Sequence, residues 1–429
     1  MQTIKTVAFH TLGCKLNFSE TSSISRTMEQ EGFIKRNFDE VADVYVINTC
    51  AVTESAEKEC RQIVRRIQRT NPEGLVVVIG CYAQIKPKEI AEIPGVDLVL
   101  GAAEKFNISK YIHEISKGDS TKICSCDIED VTGFNVSYSI HDRTRTFLKV
   151  QDGCDYNCSF CTIPLARGKS RSDRIENVVK NVEELATNGV KEIVLTGINL
   201  GDFGKGPDGN HSAPINGREE NFFELIKRLD NIEGIERYRI SSIEPNLLTN
   251  EIIEFVSQSK KIMPHFHVPL QSGSNKILGA MRRRYKRELY AERVNKIKSV
   301  MPHCAIGVDV IVGFPGETDE DFIETRNFLH SLDISYLHVF TYSERNNTDA
   351  LKIEDVVPKN IRHDRNKILR NLSFMKMQYF EQLHNGQKRK VLFENHNKNG
   401  MMEGYTDNYI RVSTPYRTDW ENQVVDWAL

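Results

Sequence analysis

Residues 149–171, KVQDGCDYNCSFCTIPLARGKSR, contain three cysteines, Cys154, Cys158 and Cys161, in the spacing C-x3-C-x2-C. A closed zinc site needs four protein ligands, and no further cysteine or histidine stands near these three in the sequence. Three thiolates also suit a four-iron cluster, which then keeps one iron open to a substrate or cofactor. The segment therefore predicts an iron–sulfur site, either with an open iron or as a purely structural or electron-relaying cluster.

Length and charge bound the classes of protein that fit this chain. Its 429 residues predict two or three domains, and its formal net charge of −2 requires any nucleic-acid contact to come from local basic patches. The N-terminus lacks a signal-peptide pattern, and no apolar run reaches the length of about 18 residues expected of a membrane span. We expect a cytoplasmic protein without a membrane partner. Its ten cysteines should then stay reduced and act as metal ligands or catalysts, not as disulfides.

Short apolar runs alternate with amphipathic segments in the first part of the chain. The runs are TVAFHTLG (6–13), DVYVINT (43–49), LVVVIG (75–80) and VDLVLG (96–101). Near-continuous apolar runs are typical of parallel strands buried on both faces. We predict an N-terminal doubly wound parallel α/β domain over residues 1–135, followed by a linker within 117–142.

A second series of strands and helices begins near residue 143. Its strand-like runs are TFLKVQD (146–152), EIVLTGI (192–198), RYRISSI (237–243), HFHVPLQ (265–271), AIGVDVIVG (305–313) and YLHVFTYS (336–343). Six such units predict a partial, TIM-like (β/α)6 barrel over residues 140–375, with the three-cysteine loop at its carboxyl-terminal mouth. Residues 380–429 alternate like hairpins around Asn-Gly and Glu-Gly turns, which predicts a short antiparallel β module.

Three more cysteines, Cys14, Cys50 and Cys81, each follow directly on a predicted strand of the N-terminal domain. Parallel strands bring their carboxyl ends to one edge of a sheet, where ligands bind. We expect these thiols to meet and hold a second cluster, the alternative being three separately buried small side chains. The remaining cysteines are expected to be structural or incidental: Cys60, Cys124, Cys126 and Cys304.

The C-x3-C-x2-C loop at a barrel mouth resembles the radical S-adenosylmethionine (SAM) enzymes. In that family the open iron binds the amino and carboxylate groups of SAM, and electron transfer cleaves SAM to a 5′-deoxyadenosyl radical. The resemblance implies that Cys154, Cys158 and Cys161 are the catalytic cluster ligands.

Together, the two domains and two cysteine sets resemble the methylthiotransferases over nearly the whole chain. The motifs are TLGCKLN (11–17), INTCAVT (47–53), VIGCYAQ (78–84), QDGCDYNCSFCTIPLARG (151–168), HVPLQSGS (267–274), DVIVGFPGET (309–318) and YSERNNTDA (342–350). The resemblance implies two [4Fe-4S] clusters, with Cys14, Cys50 and Cys81 holding the auxiliary one. One SAM methylates sulfur on that cluster and a second supplies the radical, so each turnover uses two SAM. A flavodoxin- or ferredoxin-type electron donor and a sulfur source for the auxiliary cluster are implied partners.

Residues that follow successive barrel strands are expected at the SAM site. Glycines there let backbone amides approach the nucleoside, while Glu244 and Gln271 are expected to bind ribose hydroxyls or the methionyl group. Arg345 is expected to bind a carboxylate or phosphate with its planar fork, or a loop acid. Each polar residue alone also suits a turn or cap, and His265 and His267 are expected to pack in the core. The expected SAM contacts are Thr196, Gly197, Asn199, Glu244, Gln271, Ser272, Gly313, Phe314 and Arg345.

Three branches of this family act on isopentenyl-type adenosine in tRNA, on threonylcarbamoyladenosine in tRNA, or on an aspartate of a ribosomal protein. TLGCKLN and YSERNNTDA resemble the threonylcarbamoyl branch, and Lys15 stands where the ribosomal-protein branch is expected to have proline. The implied reaction converts N6-threonylcarbamoyladenosine at position 37 of the tRNA anticodon stem-loop to its 2-methylthio form. An unstacked loop base can enter a pocket. The alternatives are the other two branches and, in a different class, a non-catalytic two-cluster electron carrier.

Contacts with tRNA have several candidates. The C-terminal module resembles the RNA-binding TRAM domain of the family, where Tyr405 and Tyr409 are expected to stack on bases or to pack. Basic segments that suit either the tRNA backbone or a solvated helix face are RQIVRRIQR (61–69), MRRRYKR (281–287) and GQKRK (386–390).

Overall fold

The computed structural model describes residues 5–51, 54–140, 143–206, 220–395 and 399–429, with the backbone alone at 54–55. Its N-terminal elements are β1 (Thr6–Thr11), α1 (Lys15–Gln30), β2 (Ile34–Arg36), β3 (Val44–Thr49), α2 (Glu54–Thr70), β4 (Leu75–Gly80), α3 (Cys81–Ile85), α4 (Pro87–Ala91), β5 (Leu98–Leu100), α5 (Ile108–Ile112) and β6 (Lys122–Cys124). The strands form one parallel sheet in the order β2-β1-β3-β4-β5-β6. Alternate strand residues feed two apolar cores, one against α1 and α5 and the other against α2, α3 and α4. The predicted doubly wound fold is confirmed.

Strand β6 corrects one sequence prediction. Lys122–Cys124 pairs in parallel with β5, so part of the predicted linker over 117–142 belongs to the sheet. This edge strand has three residues, none of them buried. It therefore lacks the apolar run by which the other strands of the sheet are recognised in the sequence.

The central part is a partial barrel of parallel strands wrapped by helices. Its elements are β7 (Ser137–Tyr138), β8 (Arg145–Lys149), β9 (Gln151–Asp152), α6 (Ile163–Arg167), β10 (Arg171–Ser172), α7 (Ile175–Thr187), β11 (Glu192–Thr196), α8 (Phe222–Asp230), β12 (Arg237–Ile240), α9 (Asn250–Gln258), β13 (His265–His267), α10 (Asn275–Ala280), α11 (Arg287–Val300), β14 (Ala305–Val312), α12 (Asp319–Ser331), β15 (Tyr336–Thr341) and α13 (Lys359–Gln382). Strands β8, β11 and β12 pair in parallel, as do β13, β14 and β15. Parallel bridges Tyr238–Ile262 and Ser242–His267 join the two sets. The predicted partial (β/α)6 barrel is confirmed.

Local sequence explains where several barrel helices begin. Asn221, Thr249 and Thr318 cap α8, α9 and α12, each accepting a hydrogen bond from a backbone N–H of the first turn. Thr318 and Asp321 form a reciprocal capping box. Short 3₁₀ turns also occur, at Ile128–Asp130, Leu200–Asp202, Asp349–Lys352 and Thr418–Trp420.

The C-terminal module is a four-stranded antiparallel sheet that contacts the barrel. Its strands are β16 (Lys388–Phe393), β17 (Met401–Thr406), β18 (Arg411–Pro415) and β19 (Val424–Ala428), in the order β18-β17-β16-β19. The buried guanidinium groups of Arg237 and Arg239 attach the module to the barrel. They donate to carbonyl oxygens of Tyr405, Lys390, Thr406 and Asp407 at 2.7–3.0 Å. Among helices of the described residues, none has the length and apolar character of a membrane span.

Candidate active site

The three N-terminal cysteines lie at the carboxyl edge of the parallel sheet. Cys14, Cys50 and Cys81 follow β1, β3 and β4, which are adjacent in the sheet. Gly13 brings the first two loops into contact, since a Cβ atom there would lie only 2.7 Å from Cβ of Cys50. Its φ of +96° also favours glycine. Cys14 and Cys81 are close enough to interact electrostatically. Strand order therefore brings together thiols that are far apart in sequence.

The C-x3-C-x2-C loop leaves β9 at the carboxyl end of the barrel and leads into α6. Gly153 and Gly168, with φ values of +70° and +72°, close this loop. A Cβ atom at Gly153 would lie 1.9 Å from the carbonyl oxygen of Lys169, so the two ends pass closely only because this residue is glycine. The N–H of Cys154 donates to the carbonyl oxygen of Gly168 at 3.0 Å.

Each sulfur atom of this loop accepts one N–H donor. The donors to Cys154, Cys158 and Cys161 are the Tyr156 N–H, the Arg283 guanidinium and the Ile163 N–H, at 3.4, 3.1 and 3.4 Å. Cys154 and Cys161 keep some solvent contact, but surrounding protein raises the pKa of both thiols to about 12. A thiolate in such surroundings needs a compensating cation, which bound iron would supply.

The donor chemistry of both cysteine sets fits an iron–sulfur cluster. None of the ten cysteines, each within the described residues, forms a disulfide bond. Cys60 and Cys304 have no exposed surface and pack in apolar cores, as expected of structural cysteines. Cys124 is half-buried on β6 and Cys126 is exposed beyond it. Two groups of three thiols at strand ends therefore remain as the candidate cluster ligands.

A buried network of charged side chains joins the two cysteine loops. The Glu20 carboxylate of α1 pairs with Lys105, Lys149 and Arg167 at 2.7, 3.2 and 3.1 Å. Arg167 also pairs with Asp152 at 2.9 Å. Burial alone would raise the pKa of Glu20, but Arg167 and the two lysines hold that pKa well below its usual range. Because such deep charges persist only when paired, this network fixes the N-terminal domain against the barrel.

Arg167 extends this network to the loop of Cys14. Its Nη2 group donates to Oδ1 of Asn17 at 2.6 Å. The Asn17 amide donates to the carbonyl oxygens of Leu12 and Thr49, at 2.8 and 2.9 Å. Those carbonyl groups lie just before the first two N-terminal cysteines. One arginine of α6 is thereby connected to both cysteine sets.

A cavity of about 770 Å³ opens beside Cys161 at the barrel mouth, and Gln271 and Arg345 line it. Gln271 has a φ of +70°, which is uncommon for a residue other than glycine and often marks a functional position. Arg345 donates through Nη1 to Glu57 of α2 at 2.8 Å. Its buried Nε and Nη2 groups have no acceptor among the described residues. The acid that pairs with Arg345 therefore lies on a helix of the N-terminal domain and not on a loop as expected, and part of the guanidinium fork stays available to a ligand.

Asn199 and Glu244 form a second polar region near the cysteine loop. Oδ1 of Asn199 accepts from the N–H of Glu244 at 3.3 Å, and its buried Nδ2 has no acceptor among the described residues. Glu244 forms an ion pair with Arg283, the arginine that donates to Cys158. Burial raises the pKa of Glu244 although Arg283 acts in the opposite direction. This region couples an expected SAM contact to the cluster loop.

Several expected SAM contacts have partners within the protein. Thr196 donates to the carbonyl oxygen of Val194 at 2.9 Å, and a Cβ atom at Gly197 would lie 2.9 Å from Oε1 of Gln151. The Ser272 hydroxyl lies 3.2 Å from that of Thr325 on α12. A Cβ atom at Gly313 would lie 2.3 Å from Cγ of Arg362, and Phe314 packs edge-to-face on Phe160 beside Cys161. These residues form the turns at the barrel end, and Phe314 packs against the cysteine loop.

The barrel lumen contains a polar group that sequence reasoning did not identify. His267 places Nε2 at 2.8 Å from Asp309 and Nδ1 at 2.8 Å from Ser242. The ligand atoms of His267, Asp309 and His338 lie within 4.8 Å of one another. His267 thus differs from the expected core histidine, whereas His265 is buried as expected. The lumen therefore offers hydrogen-bonding partners to a bound ligand.

The basic segments occupy different environments. In 281–287, Arg283 is buried at the cysteine loop and Arg284 lies over the Tyr156 ring at 4.0 Å. In 386–390, by contrast, Lys388 and Lys390 are exposed. Segment 61–69 forms surface ion pairs through Arg61 and Arg66 with Glu89 and Asp39. Sequence composition alone does not distinguish the buried arginines from the exposed lysines.

Tyr405 and Tyr409 pack against protein groups. The Tyr409 ring stacks on His265 with 4.1 Å between ring centroids, and on Tyr405 at 4.9 Å. The Arg145 guanidinium lies over the Tyr405 ring, 4.4 Å from its centroid. Of the two expectations for these tyrosines, the structure favours packing.

Two family descriptions match the chain in the order of these domains. Residues 6–101 match "Uncharacterized protein family UPF0004", and residues 148–329 match "Radical SAM superfamily". A solved radical S-adenosylmethionine methyltransferase, TsrM from Kitasatospora setae, shares the fold with a TM-score of 0.58 and 15% identity. The alignment covers 81% of this chain and 77% of that one. The radical SAM match implies a [4Fe-4S] cluster and SAM as cofactors.

Curated relatives match almost the whole chain. The threonylcarbamoyladenosine tRNA methylthiotransferases MtaB of Bacillus subtilis and Aquifex aeolicus are 42% and 40% identical, each over 95% of this chain and over 90% and 96% of their own lengths. A tRNA-2-methylthio-N(6)-dimethylallyladenosine synthase of Clostridium botulinum is 34% identical over 93% of this chain and 88% of its own. This chain therefore belongs to the tRNA methylthiotransferase family of radical SAM enzymes.

Proposed function

We propose that this enzyme converts N6-threonylcarbamoyladenosine at position 37 of tRNA, beside the anticodon, to 2-methylthio-N6-threonylcarbamoyladenosine. The observation that carries the proposal is that two three-cysteine sets connect through Arg167 in a chain 42% identical to a threonylcarbamoyladenosine tRNA methylthiotransferase. The relative named for dimethylallyladenosine is less similar, at 34%. Sequence similarity therefore favours the threonylcarbamoyl substrate.

We assign a [4Fe-4S] cluster to each cysteine set. Cys154, Cys158 and Cys161 would hold the SAM-binding cluster, and Cys14, Cys50 and Cys81 the auxiliary one. When bound, the clusters and two SAM molecules supply one-electron chemistry together with the sulfur and the methyl group that are transferred. The support for this assignment is the placement of both sets after strand ends and the absence of a disulfide bond at any of these six described residues.

The side chains around the cysteine loop have distinct proposed roles. Arg283 donates to the Cys158 sulfur and is held in place by Glu244, so it stabilises negative charge at that sulfur. Gln271 and Arg345 line the cavity beside Cys161 and would bind polar groups of SAM. The free Nε and Nη2 groups of Arg345 suit a carboxylate.

The charge network around Arg167 would hold the two cysteine sets in fixed relative positions. Atoms transferred between two centres react only when those centres keep a productive distance. Nη1 of Arg167 donates to Glu20 and Asp152, and Nη2 donates to Asn17 and to the second carboxylate oxygen of Glu20. Arg167 is thus proposed as a positioning residue with no contact to substrate.

The proposed macromolecular partner is the tRNA anticodon stem-loop. Exposed Lys388 and Lys390 on the C-terminal module suit its phosphates, and an unstacked base at position 37 would enter the lumen. We further propose a flavodoxin- or ferredoxin-type electron donor, a separate sulfur source for the auxiliary cluster, and a cytoplasmic location. These partners follow from the chemistry, which consumes electrons and sulfur at each turnover.

Reconstituted enzyme tests the proposal directly. Anticodon stem-loops with threonylcarbamoyladenosine, dimethylallyladenosine or unmodified adenosine at position 37 are incubated with SAM and a reductant. We expect the methylthio product, detected by mass spectrometry, only from the threonylcarbamoyl substrate, together with 5′-deoxyadenosine and S-adenosylhomocysteine. Product from the dimethylallyl substrate alone would contradict the proposal.

A further inference from the structure

A second cavity, of about 300 Å³, lies beside Cys14, between α1 and the first strands of the barrel. Residues of the N-terminal domain, the barrel and the C-terminal module line it, including Lys15 of α1, Arg143 and Tyr409. Among its described lining residues none is acidic, whereas four are cationic. The cavity therefore suits an anionic group of modest size.

Two of the four cations are already neutralised by protein groups. Arg239 pairs with Glu192 at 2.8 Å, and Arg145 pairs with Glu394 at 2.9 Å. Lys15 has no hydrogen-bond or ion-pair partner among the described residues, and Arg143 contacts the Phe18 ring at 4.3 Å without a carboxylate partner among them. Lys15 and Arg143 are thus the cations available to a ligand.

The surroundings of Lys15 favour an incoming anion. The Lys15 side chain is exposed and lines the cavity, so its ammonium group can meet a ligand that enters there. Lys15 is also the first residue of α1, whose first turn carries no acidic side chain. The positive end of this helix adds to the potential at the same place. An anion bound here would relieve unfavourable interactions that the free protein retains.

We propose that this cavity binds the free carboxylate of the threonylcarbamoyl group, with Lys15 as its main partner and Arg143 as the second. The inference rests on the proposed function. Carbamoylation uses the amino group of threonine, so the α-carboxylate stays free and is ionised near neutral pH. In adenine, C2 and C6 both adjoin N1. A base whose C2 faces the auxiliary-cluster cysteines therefore carries its N6 substituent close to residues that follow Cys14.

This arrangement explains how the enzyme would select its substrate. A carboxylate forms charge-assisted hydrogen bonds with Lys15, whereas a neutral dimethylallyl group would leave the ammonium group without a partner. Sites built for a polar substrate group reject analogues that lack it more strongly than apolar pockets reject larger groups. Lys15 thus becomes a specificity-determining residue, distinct from the cysteines beside it.

The test compares the carboxylate with its methyl ester. Anticodon stem-loops bearing either form are titrated with the reconstituted holoenzyme by fluorescence anisotropy, and initial rates of methylthiolation are measured in parallel. We expect the wild type to bind the acid roughly tenfold to hundredfold more tightly than the ester. Lys15→Met should lower the affinity for the acid to that for the ester and leave the ester unchanged. Lys15→Arg should retain much of the preference, and Arg143→Leu should reduce it several-fold.

Controls separate this proposal from its alternatives. Lys180→Met, at an exposed lysine on α7, should keep the full preference. Equal losses for acid and ester in Lys15→Met would indicate a backbone phosphate contact and overturn the proposal, as would an unchanged preference in both Lys15→Met and Arg143→Leu. If the Lys15→Met variant loses iron or sulfide, the acid-over-ester preference of Arg143→Leu becomes the deciding measurement, because Arg143 adjoins no cysteine in sequence. Failure of the wild type to methylthiolate the acid would instead contradict the proposed function.

Discussion

The Nη2 group of Arg167 donates to Oδ1 of Asn17 at 2.6 Å, which links the C-x3-C-x2-C loop to the loop of Cys14. The two residues are 150 positions apart and belong to different domains. Asn17 also binds carbonyl groups that precede two N-terminal cysteines, so a displacement of Arg167 would be transmitted to both cysteine sets. A chain that transfers atoms between two centres needs this kind of rigid connection.

Replacing Arg167 should destabilise the protein strongly. Arg167→Met leaves the buried carboxylates of Glu20 and Asp152 with fewer cations, and breaking a buried ion pair typically costs about 3–5 kcal/mol. Thermal unfolding followed by circular dichroism should show a Tm several degrees lower. Arg66→Met, which removes an exposed arginine paired with the exposed Asp39, serves as a control with a small effect. A Tm equal to that of the wild type would show that the network contributes no stability.

Asn17→Ala should uncouple SAM cleavage from formation of the methylthio product. The variant removes the hydrogen bond to Arg167 and the contacts with two carbonyl groups but leaves all six candidate cysteines in place. We expect SAM cleavage to continue while the methylthio product per 5′-deoxyadenosine falls, because the cysteine sets lose their fixed relative position. Product and 5′-deoxyadenosine are quantified together by mass spectrometry. Proportional loss of both would instead indicate general damage to the site.

The decrease in the free energy of unfolding at acid pH should depend on Glu20. Opposing burial, nearby cations lower the pKa values of Glu20 and Asp152 in the folded state. Their stabilisation is therefore complete above the unfolded pKa values of about 4 and is lost as pH falls below them. Urea unfolding of wild type and Glu20→Gln should differ most near pH 7 and converge below about pH 4. A difference that grows on acidification would contradict the sign of this linkage.

Substitution of a cysteine should affect the reaction differently in the two sets. Cys154→Ala should abolish SAM cleavage and product together, because the SAM-binding cluster is lost. Cys81→Ala should retain reductive SAM cleavage but form no methylthio product. Iron content, 5′-deoxyadenosine and modified nucleoside are measured for each variant, with Cys304→Ala as a control at a buried cysteine outside both sets. SAM cleavage that survives Cys154→Ala would remove our assignment of the SAM-binding cluster.

Arg283 should tune the cluster held by the C-x3-C-x2-C loop. Arg283→Leu removes a cation and an N–H donor from the Cys158 sulfur, which disfavours the reduced cluster. A charge-assisted hydrogen bond of about 1.5 kcal/mol corresponds to a potential shift on the order of 50 mV, here toward more negative values. Redox titration monitored by electron paramagnetic resonance measures it. Arg284→Leu, whose side chain covers the Tyr156 ring without reaching a sulfur, should shift the potential much less.

The strand pattern made most of the architecture predictable from sequence. The four apolar runs of the N-terminal domain coincide with β1, β3, β4 and β5, and the rule that parallel strands end at one edge predicts that Cys14, Cys50 and Cys81 meet. Strand β6 was missed because its three residues carry no buried apolar pattern. Local sequence contains the signals that decide strands, turns and metal-ligand spacing.

Side-chain contacts between distant segments could not be predicted from the sequence. Arg167 and Glu20 lie 147 residues apart, so no local spacing pairs them. Arg283 belongs to a basic segment whose composition suits tRNA as well as a buried sulfur contact, and only the fold distinguishes the two. Ser272 and Phe314 follow barrel strands as SAM-binding residues do. The Ser272 hydroxyl is nevertheless bonded to Thr325 of α12, and the Phe314 ring packs on Phe160. Position at a strand end alone does not decide whether a side chain faces the cavity.

The most direct measurement is nucleoside mass spectrometry of tRNA from cells that lack this gene and from the same cells with the gene restored. We predict that 2-methylthio-N6-threonylcarbamoyladenosine disappears without the gene, that its unmethylthiolated precursor accumulates, and that restoring the gene reverses both changes. A restored Cys154→Ala gene should leave the precursor unmodified. An unchanged level of 2-methylthio-N6-threonylcarbamoyladenosine in cells without the gene, and without another enzyme of this activity, would contradict the central claim.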